Sequence, residues 1–233
     1  MEHIQPFEMR KVRKIVETKE TEALLECINS LEIHAESIGE GGNAEVFAIE
    51  GGQFSKVCLK RIKEKQQLIC NSIDEENKFQ GKAREAGVRT PLALISIDTD
   101  KGSFLIMERV DGCTVEQAIQ DPSQLPENFS YQIFANDLDD QILKMHNAGI
   151  YHRDLHVRNV MINNQGMPVI IDFGTATEGT GSDFTYEQLA TVYNQKTGKY
   201  DQVSGVFKDD LQMVRSLKSA LRPTGLRHSI DKK

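Results

Sequence analysis

Several absences narrow this chain before any motif is considered. No apolar run approaches the roughly 18 residues that a membrane span needs. Residues 1–14 carry neither an apolar stretch nor a cleavage pattern of a secretory leader. The expectation is a cytoplasmic protein, with export as a leaderless effector as the alternative. The four cysteines, Cys27, Cys58, Cys70 and Cys113, form no C-x-x-C and no other metal-ligand spacing. They read as reduced thiols in a reducing compartment. No internal repeat and no long low-complexity tract is present. Positive charge is in deficit, with a net charge of -7, which argues against a dedicated nucleic-acid coat or a strongly membrane-attracted surface. The exception is the end of the chain, where residues 215–233 hold six Lys or Arg against one acid. The simpler reading is a solvated helix face and a frayed tail; the alternative is a strip that docks RNA or an acidic partner.

What is there is enough for one domain or two small lobes. The chain has 233 residues, 39% of them hydrophobic and 27% charged, so it can bury a sizeable core. Residues 8–31 are charged, with Val12, Ile15, Val16, Leu24, Leu25, Ile28 and Leu31 at mostly helical intervals. They predict one or two helices ahead of the main fold, either packed on it or serving as a regulatory arm. Strand signals follow at 33–38, 44–49 and 55–62, broken by glycine turns. A helix is expected over 72–86, ended by Gly87 and Pro91. Two more strands are expected at 92–98 and 103–110. Beyond residue 111 the pattern turns helical. Thr114-x-x-Gln117 reads as a capping box, and 130–147 forms a strong amphipathic helix followed by Gly149. Short strands at 160–162 and 169–171 flank an Asn-Asn-Gln-Gly turn. Residues 175–205 are polar and read as a mobile segment. A last helix covers 207–221 until Arg222-Pro223 stops it.

Chemistry concentrates in a few places. The glycine turn reads Gly39-x-Gly41-x-x-Ala44-x-Val46. Glycines between two strands let backbone N–H groups approach phosphates without an intervening side chain. The strand on either side argues against a dinucleotide fold, which places a helix after the glycines. Lys60 lies in Val57-Cys58-Leu59-Lys60. Strand alternation puts Cys58, Lys60 and Ile62 on one side, and a lysine buried there needs a carboxylate partner. Asp74, Glu75 and Glu76 head the next helix and could simply suit its N-terminal dipole. Glu76 is the choice as partner, because Phe79 and Ala83 follow it on the apolar face. Most specific is His152-Arg153-Asp154-Leu155-His156-Val157-Arg158-Asn159, followed by Asp172-Phe173-Gly174. Asp154 could orient an acceptor hydroxyl. Asn159 and Asp172 offer one amide and one carboxylate oxygen to a divalent ion, which suits magnesium because it keeps most of its shell from water and phosphate.

These motifs, in this order, resemble the protein-kinase superfamily from about residue 33 to residue 221. The resemblance implies an α+β, bilobal, protein-kinase-like fold: a five-stranded antiparallel small lobe with one helix, and a reduced, mainly helical large lobe. The expected division is a helical extension over 1–32, a small lobe over 33–110, a truncated large lobe over 111–221 and a basic tail over 222–233. It implies ATP with magnesium or manganese as cofactor. Ile38, Gly39, Gly41, Gly42, Val46, Cys58, Lys60, Met107, Glu108, Val110 and Asp172 would hold the nucleotide. Met107 would be the gatekeeper, and backbone groups of Glu108 and Val110 would meet adenine. Asp154, Lys60, Glu76, Asn159 and His156 would be catalytic, with Asn159 and Asp172 on the metal. Asp210 resembles the aspartate that anchors the catalytic loop from below, with Asp209 as competitor.

The departures bear on substrate. Ala44 replaces the third glycine, Cys58 an alanine and His156 a lysine, and no Ala-Pro-Glu follows Asp172. H-x-D-L-H-x-x-N is similar to aminoglycoside phosphotransferases and lipopolysaccharide kinases. The compact size resembles the RIO and KEOPS-type kinases and bacterial kinase-like effectors. The resemblance also makes Arg153 a group that could pair with a phosphorylated residue among Thr175, Thr177, Thr180, Ser182, Thr185 and Tyr186; the alternative is a native acid. Three functions stand: a Ser/Thr protein kinase, a small-molecule or sugar kinase, and a nucleotide-binding scaffold with weak turnover.

Overall fold

The structure, a computed structural model, describes residues 9–14, 33–40, 44–49, 56–62, 71–99, 102–179, 187–194, 199–206 and 210–222. Its first layer is an antiparallel sheet. The strands are β1 (Met9–Lys14), β2 (Ile33–Glu40), β3 (Ala44–Ile49), β4 (Val57–Ile62), β5 (Ala93–Thr99) and β6 (Gly102–Glu108), in the order β1-β5-β6-β4-β3-β2. The centre is apolar where burial demands it: Leu59, Ile95, Ile97, Leu105 and Ile106 are almost wholly enclosed. The five strands expected from the sequence are all present as β2 to β6.

The sixth strand corrects an expectation. Met9–Lys14 pairs antiparallel with β5, Val12 opposite Ile97, where the apolar spacing suggested a helix. The remainder of that helical expectation, residue 8 and residues 15–31, lies outside the described residues. The backbone of β5 has an open edge, and satisfying its N–H and C=O groups outweighs the weak helical preference of a six-residue stretch. Its sequence, Met-Arg-Lys-Val-Arg-Lys, has the charge common on strands at a sheet edge.

One helix, α1 (Ile73–Glu85), lies against this sheet. Ser72 caps it, accepting from the Glu75 backbone N–H while the Glu75 carboxylate accepts from that of Ser72. Gly87, at φ +81°, supplies the left-handed residue just past its end. The helix faces two ways. Ile73 packs with Ala93 and Leu105 of the sheet, whereas Phe79 and Ala83 join the second layer's core. The loop after α1 is fixed to that layer. The Arg89 backbone N–H donates to Gln141 Oε1 at 2.5 Å, and its guanidinium reaches Asp137 at 2.5 Å and the Pro168 carbonyl at 2.9 Å.

The second layer contains β7 (Gly112–Thr114), α2 (Val115–Gln120), a 3-10 turn (Pro122–Gln124), α3 (Tyr131–Asn147), β8 (Ile150–Tyr151), β9 (Val160–Asn163), β10 (Pro168–Ile170), β11 (Thr177–Glu178), and, beyond a hairpin, α4 (Asp210–Leu221). The expected capping box forms, with Thr114 and Gln117 exchanging bonds. Phe134, Leu138, Ile142 and Met145 of α3 pack with Leu155, Phe173, Val214 and Leu217, so the core lies directly beneath the catalytic segment. Among the described residues no helix is long and apolar enough to cross a membrane.

A second correction falls on the polar stretch expected to be mobile. It contains an antiparallel pair, β12 (Glu187–Asn194) and β13 (Lys199–Val206), with Glu187 opposite Val206. Thr191, Val192 and Tyr193 favour extended backbone, and residues 195–198 between the strands lie outside the described residues. Polar composition masked the pairing. Residues 180–186 lie outside the described residues.

Gly112 tests the packing of this layer. A Cβ built there would lie 2.0 Å from the Ile162 carbonyl oxygen and 2.9 Å from Asn163 Cα. Both obstacles are backbone and cannot swing aside. Gly112→Ala is expected to destabilise the fold by about 1–3 kcal/mol or more, read as a lower urea midpoint; an unchanged midpoint would refute the close approach of β7 and β9.

Candidate active site

Lys60 is the middle of the site. The register sets Lys60 opposite Val46 on β3 and Leu105 on β6, and Cys58 opposite Ala48 and Met107. Directly opposed residues share a face, so Val46, Cys58, Lys60 and Met107 project to the same side of the sheet. The Lys60 side chain is only 6% exposed. Its ammonium donates to Glu76 Oε1 at 2.5 Å and to Asp172 Oδ1 at 2.9 Å. The carboxylate chosen from three by its place on the apolar face is the one that α1 delivers.

The electrostatics follow from this triangle. Burial alone would strip Lys60 of its proton, but Asp172 and Glu76 together hold its pKa above the ordinary lysine value. Burial, with Asp172 as a second carboxylate on one ammonium, raises Glu76 against the pull of Lys60. Asp172 resists its own burial, and Lys60 with the Gly174 N–H leaves its carboxyl below the ordinary range. The result is a fixed ammonium flanked by an enclosed carboxylate and by one that is 43% exposed.

The segment holding the expected catalytic residues runs from β8 to β9. Arg153 and Asp172 both adopt left-handed backbone, at φ 68° and 65°, which non-glycine residues hold only under restraint. For Arg153 the restraint is Asp210, the first residue of α4. Its carboxylate accepts from the backbone N–H groups of Arg153 at 2.7 Å and His152 at 2.8 Å, and meets His146 Nε2 at 3.0 Å. Of the two competing aspartates, Asp210 is therefore the one seen beneath the loop; Asp209 lies outside the described residues. Burial would raise Asp210, yet the His146 bond, the His152 ring and the two amides lower it. The loop is also tied to the Asp172 turn. His152 Nε2 is 3.0 Å from the Ile171 carbonyl, and the Ile171 N–H donates to the Asn159 carbonyl at 3.0 Å.

Asp154 and Asn159 meet at the open side. Asn159 Nδ2 donates to the Asp154 carbonyl at 3.0 Å and to Oδ2 at 3.2 Å. With its N–H groups so directed, the amide oxygen of Asn159 is its available donor to a cation. Asp172, whose Oδ1 accepts from Lys60 and Gly174, has Oδ2 to offer. Two hard oxygens of this kind fit magnesium, which takes the rest of its shell from phosphate and water. His156 stands beside Asp154, Nε2 3.5 Å from Oδ2. The Arg158 N–H donates to His156 Nδ1 at 3.2 Å, so in the neutral ring the proton sits on Nε2 and faces Asp154.

The remaining expected residues are distributed as follows. Cys58 is buried and its Sγ–H lies 3.7 Å from the Glu108 carbonyl; burial pushes this thiol up to about 12. The Glu108 N–H is taken by the Leu92 carbonyl at 2.8 Å. Val110 is half-buried after β6, and Gly39 stands opposite Val46 at the end of β2 with Ile38 half-exposed beside it. Gly41 and Gly42 lie outside the described residues. Arg153 Nε donates to the Thr177 hydroxyl at 3.1 Å, and its guanidinium lies 4.8 Å over the Tyr151 ring.

Sequence reasoning missed Asn71. Its backbone N–H donates to the Gly174 carbonyl at 2.6 Å, and its side-chain amide to those of Phe173 at 3.2 Å and Ala176 at 2.9 Å. Nothing local marks it, because all three partners are about a hundred residues away. Glu178, joined to Lys82 and 3.8 Å from Lys78 of α1, was missed for the same reason.

A lysine bridged to a helix carboxylate and a turn carboxylate is thus joined, through the Ile171–Asn159 backbone bond, to an Asp–Asn pair. The chain belongs to the protein kinase family: residues 33–194 match the protein kinase domain. It is 32% identical over 155 residues to mouse sperm motility kinase 2B, covering 66% of this chain and 31% of that protein. It is 27% identical over 165 residues to a probable serine/threonine-protein kinase of Corynebacterium efficiens, covering 67% of this chain and 24% of that protein. The chain thus spans about a third of the mouse relative and a quarter of the bacterial one. The solved apo form of PpkA-294 superposes with a TM-score of 0.46 and 22% identity, over 62% of this chain and 58% of that one.

Asp210 carries a pH signature. A carboxyl whose folded pKa is depressed stabilises the fold fully above the ordinary aspartate value, near about pH 4, and loses that contribution as pH falls through the lower folded value. Asp210→Asn should lower stability at neutral pH by about 2–3 kcal/mol. The gap to the parent should shrink in acid. Urea unfolding of both proteins at pH 7 and pH 3 checks this; a gap of equal size at both would refute the charged anchor.

Proposed function

We propose that the chain is an ATP- and magnesium-dependent phosphotransferase that moves the terminal phosphate to a serine or threonine hydroxyl of a protein. The observation that carries this reading is the Lys60 ammonium held between Glu76 and Asp172, next to Asp154 bonded to Asn159. Lys60 is a fixed positive charge suited to the α- and β-phosphates. Val46, Cys58 and Met107 on the same sheet face, with the carbonyl of Glu108 and the backbone of Val110, would form the adenine slot. Ile38, Gly39, Gly41 and Gly42 would cover the phosphates. Asn159 and Asp172 would hold the metal ion, which when bound neutralises phosphate charge and orients the leaving group. Asp154 orients the acceptor hydroxyl and takes its proton as the phosphorus–oxygen bond forms. Most of the acceleration comes from this positioning and from charge stabilisation.

The likeness to a probable serine/threonine-protein kinase of Corynebacterium efficiens supports serine/threonine acceptors. A small-molecule or sugar acceptor is the second reading, favoured by His156 facing Asp154 where protein kinases carry lysine. The free thiols of Cys58 and Cys113 suit a reducing, cytoplasmic setting.

The test is transfer of labelled γ-phosphate to generic protein acceptors and, in parallel, to a panel of sugars and aminoglycosides. Transfer to protein is expected. Transfer to metabolites alone would establish the second reading, and nucleotide binding with transfer to neither would leave a scaffold. Asp154→Asn should lower kcat by about 10²–10⁴-fold with ATP still bound, whereas Asp172→Asn should abolish magnesium-dependent turnover. Full activity of the Asp154 variant would overturn its assignment.

A further inference from the structure

We infer that Asn71 is a positioning residue that assembles this site, locking the Asp172 turn to the helix that carries Glu76. The inference rests on the phosphotransferase reading for its kinetic consequence, but the contact itself does not. Asn71 immediately precedes the Ser72 cap of α1. From there it donates three hydrogen bonds to the turn, to the carbonyls of Gly174, Phe173 and Ala176.

These bonds close a ring. Asp172 accepts from Lys60, Lys60 donates to Glu76, Glu76 rides on α1, and α1 begins at Asn71, which returns to the residues just after Asp172. In an open chain of contacts α1 could swing away and take Glu76 with it while the turn stayed behind. In the ring, moving α1 relative to the turn breaks the Lys60 bridge and the Asn71 bonds together. The anchored backbone also includes Phe173, which is wholly buried in the core shared with Phe79 of α1. Asn71 therefore holds both ends of a unit whose middle is the phosphate-facing lysine. Its side chain suits the task because one amide NH2 carries two donors in a fixed plane, enough for two carbonyls at once.

The clamp bears on the population of the assembled arrangement more than on contact with nucleotide. Its loss should lower kcat and leave the KM for ATP little changed. Asn71→Asp keeps the shape but turns two donors into acceptors that face carbonyl oxygens. The expected result is a kcat reduced about tenfold or more, from two lost bonds of ordinary strength. The KM for ATP should change less than about threefold, and amide hydrogen exchange should be faster in residues 173–178 and at the start of α1. The folding midpoint should fall little. If the Asp variant does not fold, Asn71→Ala is read by the same measurements.

Wild-type kcat with unchanged exchange in the folded variant would overturn the inference, as would a loss of activity matched only by loss of folded protein. The exchange measurement is made without nucleotide. Should the parent protein transfer no phosphate, the function proposed above fails, and slow exchange in the parent with fast exchange in the variant still upholds the clamp.

Discussion

One ammonium group ties the structure together. Lys60 sits inside a sheet where an unpaired charge would be strongly unfavourable, and two carboxylates from different layers meet it there. Glu76 arrives on a helix and Asp172 on a turn 112 residues beyond the lysine. Removing either leaves the other charges poorly matched in a poorly solvated place. The same pairing that satisfies the buried charge thus fixes sheet, helix and turn in one relative arrangement, and leaves one oxygen of Asp172 facing outward. Satisfying the buried charge and assembling the three elements are one event.

Around this centre the restraint is mostly backbone. Two residues held in left-handed conformations, Arg153 and Asp172, aim the neighbouring side chains. Each is kept there by a carboxylate: Asp210 grips the amides at His152 and Arg153, and the Asp172 side chain accepts from Gly174. The unfavourable dihedrals are tolerated because α4 and the sheet over-determine them. The same segment carries Asp154 and Asn159, joined by the Asn159 amide.

How much of this was legible depends on the range of the interactions. Caps at Ser72 and Thr114, the glycines after α1 and α3, and the inward face of Glu76 are local, and the sequence carries their patterns. The catalytic motifs are legible because their chemistry tolerates few residue types at fixed spacing. Met9–Lys14 was not, since what makes it a strand is the open edge of β5 and nothing in its own pattern. The β12–β13 pair was hidden by its polar composition. Asn71 and Glu178 act only across long separations, where one sequence offers no signal. Asp210 was preferred to Asp209 because it opens the last helix, and its carboxylate accepts from the two loop amides.

The pairing of β1 with β5 has a consequence for how such a chain comes together. Val12 finds its partner in Ile97, more than eighty residues later, so this strand must wait while most of the sheet is made. High contact order of this kind slows folding, and in vectorial synthesis it leaves β1 docking only after β5 has been made. The edge of the sheet is closed late, by a strand made well before the one it covers.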